Sequence, residues 1–131
     1  MGDNINVEYY EVEYTTDFAK NIRRLTKKKQ FVNLPHQILE LEAKLSSGEF
    51  PGILIRQVDL PEEHKVYKLR LPNLDAKVGK SDGYRLIYTV FLPRRIVVLL
   101  TIYYKKEQES VTETYIKGLI DGFLLGEKEC I

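Results

Sequence analysis

The chain has 131 residues, 44% hydrophobic and 30% charged, with 20 basic against 19 acidic side chains and a formal net charge of +1. That is the length of one domain and an ordinary globular composition, enough to bury roughly two-thirds of the unfolded surface in one core. The longest apolar run, Ile96 to Tyr104 broken only by Thr101, is far short of a membrane span, no signal-peptide pattern opens the chain, and the lone Cys130 excludes an internal disulfide, so a reducing cytoplasm is the expected setting.

Residues 8–14 alternate, with Tyr10, Val12 and Tyr14 on one side and Glu11 and Glu13 on the other, the pattern of a half-buried strand. Thr15, Thr16 and Asp17 offer N-cap chemistry for a helix whose stripe is Phe18, Ile22 and Leu25, and Lys27 to Lys29 suit its C-terminus. A second helix begins near Asn33, with Pro35 in its first turn. It carries Leu34, Ile38, Leu41 and Leu45 on one side and stops at Gly48. Pro51-Gly52 marks a turn, Ile53 to Ile55 a possible short strand, and Pro61 to Glu63 a loop.

Three strands follow, over Val66–Leu71, Tyr84–Leu92 and Ile96–Tyr104. The last two form a hairpin through Pro93-Arg94-Arg95. The intervening loop, Pro72–Gly83, holds Gly79, Ser81, Asp82 and Gly83 and reads as mobile. The last strand is apolar on both faces, as a central strand covered on two sides should be. Ser110 and Glu113 form a capping box that opens a helix with Ile116, Leu119, Ile120 and Phe123 facing the core. The expected fold is α+β, a small antiparallel sheet packed on helices in the order β-α-α-β-β-β-α. One domain spans 1–131, with 1–7 and 125–131 as disordered tails.

Charge is unevenly placed. From Lys65 to Lys106 the chain carries ten Lys and Arg (Lys65, Lys68, Arg70, Lys77, Lys80, Arg85, Arg94, Arg95, Lys105 and Lys106) against only Asp75 and Asp82. A cationic sheet in a near-neutral protein suits a polyanion, above all a phosphate chain. Alternation sets Lys68 and Arg70 on one face of their strand, and a three-stranded meander brings them toward Arg85, Lys105 and Lys106. Such cations stabilise a pentacoordinate phosphorus more than its ground state. One of the adjacent pair Tyr103 and Tyr104 must face the cations, to stack on a base or carry a proton. His36, His64 and Cys130 lack metal-ligand spacing, so neither metal nor cofactor is expected.

The strings Val66-Tyr67-Lys68-Leu69-Arg70-Leu71, Gly79-Lys80-Ser81-Asp82-Gly83-Tyr84-Arg85-Leu86-Ile87-Tyr88 and Leu99-Leu100-Thr101-Ile102-Tyr103-Tyr104-Lys105-Lys106-Glu107 resemble the RelE/HigB superfamily of toxin–antitoxin ribonucleases. The resemblance runs from about Tyr14 to Phe123. It implies a RelE-like fold and an mRNA interferase that enters the ribosomal A site. There the 2′-hydroxyl attacks its own phosphate, leaving a 2′,3′-cyclic phosphate and a 5′-hydroxyl.

By this resemblance Lys68, Arg70 and Arg85 hold the phosphate, and Lys105 or Lys106 assists the leaving oxygen. Tyr103 and Tyr104 join that catalytic set, while Lys65, Lys77, Lys80, Arg94 and Arg95 contact RNA. The implied partners are mRNA, the ribosome and a cognate antitoxin, with DNA reached only through the antitoxin and no membrane. The general base is where the chain departs from its relatives, because the position that is Tyr in some of them falls near Thr112. Lys68 is the first candidate, although it would need a downward pKa shift of roughly three units, on the order of 4 kcal/mol. A tyrosine is the second and ribosomal assistance the third. A gyrase-poisoning toxin of the ParE type and a non-catalytic binding module are the competing readings.

Overall fold

One residue, Thr15, links the first helix directly to the sheet. In the computed structural model, which describes residues 9–56 and 64–126, Thr15 caps α1 (Thr16–Lys27) by accepting from the Phe18 amide at 3.0 Å. Its hydroxyl also donates to the Leu100 carbonyl at 2.8 Å. A buried side chain thus meets a cap and a strand at once, and capping alone contributes about 1 kcal/mol. The tails expected over 1–7 and the loop over Pro61–Glu63 lie outside the described residues, as does most of the C-terminal tail.

The other elements are β1 (Glu11–Tyr14), α2 (Leu34–Ser46), β2 (Ile53–Ile55), β3 (His64–Leu71), β4 (Tyr84–Phe91), β5 (Ile96–Tyr104) and α3 (Glu113–Leu124). They build an α+β fold around one five-stranded sheet of order β1-β5-β4-β3-β2. The segment Ile53–Ile55 is a true strand, antiparallel to β3. Three of the four pairings are antiparallel, but β1 runs parallel to β5, with Glu11 opposite Ile96 and Tyr14 opposite Leu99. The sheet is therefore mixed rather than antiparallel throughout. The chain leaves β1 through two helices and returns to β5 only after the meander, a crossover long enough for parallel pairing.

Helices α1 and α2 cover one face. Phe18, Leu25, Leu34, Ile38, Leu41 and Leu45 pack there on Tyr84, Leu86, Tyr88 and Leu99. Each fully buried aliphatic side chain contributes roughly 1.5–3 kcal/mol relative to exposure. On the opposite face Ile116 and Ile120 of α3 sit on Val66, Ile87, Val98, Leu100 and Tyr103. Both faces of β4 and β5 are thereby covered, which is why β5 reads as an unbroken apolar run.

Two local expectations change. The α3 N-cap is Thr112, which accepts from the Tyr115 amide at 3.0 Å, and Ser110 lies in the preceding turn. The chain needs those extra residues to pass from the end of β5 to the other face of the sheet. The loop between β3 and β4 is pinned rather than loose. Asn73 and Val78 bridge each other, the Asn73 side chain accepts from Ala76, and Asp75 accepts from the Asn33 amide and side chain.

Candidate active site

Strand register fixes the first row of the site. Arg70 on β3 lies opposite Arg85 on β4, and Arg85 lies opposite Tyr103 on β5. The pleat turns these three positions, and Lys68 with them, to the α3 side of the sheet. Beside the row a cavity of about 340 Å³ opens between the sheet and the start of α3. Lys68, Ile87 and Tyr103 line it from the sheet, Ile55 from β2, and Val111 and Glu113 from the entry to α3.

Arg85 is only 4% exposed. Its Nη1 donates to the carbonyls of Lys80 at 2.9 Å and Tyr84 at 3.3 Å, and its Nη2 to that of Ser81 at 2.8 Å. Two of these bonds hold the loop before β4, and the third ties the guanidinium to the start of its own strand. Neutral carbonyls satisfy those donors without cancelling the charge, so Arg85 leaves a fixed positive field under the row. Arg70 is exposed and Lys68 half-buried, so these two side chains are the ones open to an incoming phosphate.

Tyr103 is buried, and burial pushes its phenol up; Arg85 beside it pulls the other way and Glu109 adds to the rise. The phenol stays protonated at neutral pH, which makes it a proton donor and a poor base. Tyr104 lies on the other face. It points to the α1/α2 face, its ring 5.3 Å from Phe31 and 5.8 Å from Tyr84. The alternation of an adjacent pair permits only one of them at the site, and that one is Tyr103.

The turn after β5 sits close by. The Lys105 amide donates to Gly83 at 2.8 Å, and the Lys105 ammonium lies 3.6 Å from Glu109. Lys106 is exposed in the same turn. Glu107 accepts from Arg24 at 3.1 Å and Lys29 at 3.0 Å, so the basic end of α1 is drawn to this end of the sheet.

The remaining cations divide by position. Lys80 lines a second cavity of about 660 Å³ with Arg70 and Lys44, where the edge of β3 extends beyond its pairing with β2. Lys77 is exposed in the loop at φ 59°. Lys65, opposite Val90, and Arg94 and Arg95 at the hairpin stand at the far end of the sheet, away from the row. Sequence reasoning overlooked Lys44, which stands in an acidic stretch, and took Glu113 only as a cap residue.

No family model and no curated protein sequence matches the chain. It is similar to solved structures of RelE toxins. The isolated Escherichia coli RelE toxin aligns over 86% of this chain and 97% of its own, at 20% identity and a TM-score of 0.47. A free E. coli RelE mutant covers 77% and 88%, also at 20% and 0.47. The archaeal RelE–RelB complex from Pyrococcus horikoshii covers 78% and 99%, at 17% identity and a TM-score of 0.43.

Proposed function

We propose that the protein is the toxin of a toxin–antitoxin pair and an endoribonuclease that cleaves messenger RNA in the ribosomal A site. The observation that carries this reading is the row of Arg70, Arg85 and Tyr103 on one face of the sheet with Lys68, of which Lys68 and Tyr103 line a cavity. Two accessible cations, one buried fixed cation and one protonated phenol suit the charge stabilisation and leaving-group protonation that transesterification at phosphorus needs. Lys68 and Arg70 bind the non-bridging oxygens. Arg85 stabilises the added charge from below and positions the Lys80–Ser81 wall. The 2′-oxygen displaces the 5′-oxygen and leaves a 2′,3′-cyclic phosphate, and Tyr103, with Lys105 and Lys106 nearby, serves the departing oxygen.

The sequence resemblance over Tyr14–Phe123 supports the ribosome as the place of action and a cognate antitoxin as the silencing partner. Among the described residues no helix is long and apolar enough to cross a membrane. The test is induction of the protein alone, with 5′ ends of messenger fragments mapped while translation runs and while it is blocked. New 5′-hydroxyl ends that appear only during translation support the reading. Failure of DNA supercoiling before translation slows would replace it with the gyrase-directed alternative.

A further inference from the structure

Glu113 is the one carboxylate among the residues that line the cavity beside the cationic row, and it shares that lining with Lys68 and Tyr103. The first turn of α3, which carries it, is firmly held. Thr112 caps the first turn of α3, Ile116 one turn on is 3% exposed, and the Tyr115 hydroxyl donates to Asp17 at the start of α1. Two packed elements thus anchor the helix turn that carries Glu113, whose own side chain is exposed.

The groups around it leave few other candidates. Lys68 from β3 and Arg85 from β4 are cations, Tyr103 from β5 is a protonated phenol, and Lys105 is ion-paired with Glu109. Lys117 stands one turn along α3. Glu109 is the other nearby acid; both carboxylates are exposed, but Glu109 is paired with Lys105 and does not line the cavity, whereas Glu113 does. A carboxylate is ready to accept a proton at neutral pH, whereas an ammonium or guanidinium is not.

Resting on the ribonuclease reading above, we propose that Glu113 is the general base of this site. The 2′-O–H bond breaks and its proton passes to the Glu113 carboxylate as the 2′-oxygen bonds to phosphorus. The bond from phosphorus to the 5′-oxygen breaks, and that oxygen takes the Tyr103 hydroxyl proton. Exchange with water then removes the proton from Glu113 and restores it to Tyr103. Lys68, which lines the same cavity, neutralises the phosphate.

The test compares single-turnover cleavage of ribosome-bound messenger by the wild type, Glu113→Gln, Glu113→Asp and Glu109→Gln. Loss of a general base lowers the rate by roughly 10²–10⁴. Glu113→Gln should fall in that range with RNA affinity within about threefold, while Glu109→Gln keeps nearly full activity. The wild-type rate should rise with pH on its acid limb, and the residual Glu113→Gln rate should be flat there. Glu113→Asp keeps the charge at the helix N-terminus but shortens its reach, so a rate loss with an unchanged unfolding midpoint separates chemistry from helix stability. A Glu113→Gln rate within threefold of wild type, or an acid limb common to both, overturns the assignment. Wild-type protein that cleaves no messenger overturns the parent reading as well, which distinguishes the two failures.

Discussion

Arg70 and Arg85 are direct partners across β3 and β4, yet Arg70 is open to solvent while Arg85 is 4% exposed and bonded to three carbonyls. Neighbours in register therefore do different work. The outer guanidinium can meet a phosphate, and the inner one sets the shape and potential of the site. Substitution should separate them.

Arg85→Ala should lower stability as well as activity. It strands the Lys80 and Ser81 carbonyls and empties a buried position, at a cost of about 2–4 kcal/mol. Arg70→Ala should leave the urea midpoint nearly unchanged and reduce cleavage alone. Arg94→Ala, at the far hairpin, should do little to either. Equal stability losses for Arg70→Ala and Arg85→Ala would contradict this division.

Gly83 closes the same wall. A Cβ there would press into the Leu71 carbonyl oxygen and stand 3.0 Å from the Asn73 nitrogen and the Gly79 oxygen, all of it backbone. Gly83→Ala should cost on the order of 3 kcal/mol or more, because neither strand nor loop can yield without losing pairing. Gly79→Ala meets nothing within 4 Å and should stay within about 0.5 kcal/mol of wild type. Denaturant unfolding of the two variants decides it, and similar midpoints would refute the close approach.

Much of this was legible in the sequence, for identifiable reasons. Period-two alternation placed Lys68 and Arg70 on one face, and the α2 stripe Leu34, Ile38, Leu41 and Leu45 is buried throughout. Gly48, at φ 92°, ends α2 where its position predicts. What could not be read depends on register and on loops. The choice between Tyr103 and Tyr104 follows from the pairing of β4 with β5, which places Tyr103 opposite Arg85. The loop from Pro72 to Gly83 has a flexible composition, and its order comes from partners distant in sequence, such as Asn33 for Asp75. Glu113 was visible only as a cap residue because its neighbour Lys68 is far away along the chain.

The Glu107 carboxyl gives a pH signature. Burial raises it, but hydrogen bonds from Lys29 and Arg24 and their charges outweigh that and hold it below its ordinary value of 4.5. A depressed folded value means that the contact stabilises fully above pH 4.5 and is lost as pH falls through and below the folded value. Arg24 and Lys29 are more than 40% exposed, so solvent screening limits the contribution to under about 1 kcal/mol. The stability gap between wild type and Glu107→Gln should thus be small at pH 7 and vanish near pH 3, and added salt should narrow it at pH 7. A gap that widens on acidification would reverse the sign and exclude this origin.

Lys44 should belong to the RNA track although it lies outside the basic segment. It shares the cavity at the free edge of β3 with Arg70 and Lys80, three cations against the one carboxylate Glu40, so a strand held by Arg70 meets a net positive surface over that edge. A side chain that meets a phosphate away from the reacting bond contributes to binding and not to the transition state. Lys44→Ala should therefore weaken binding of a labelled single-stranded RNA by about 3–10-fold and make its log–log salt dependence shallower by about 0.7, the share of one phosphate contact. Saturated cleavage should stay within about twofold. Lys65→Ala removes the same charge from the far end of β3, outside that cavity, and should leave the salt slope unchanged. If both substitutions change the slope equally, the RNA responds to the overall charge of the sheet and the edge track does not exist.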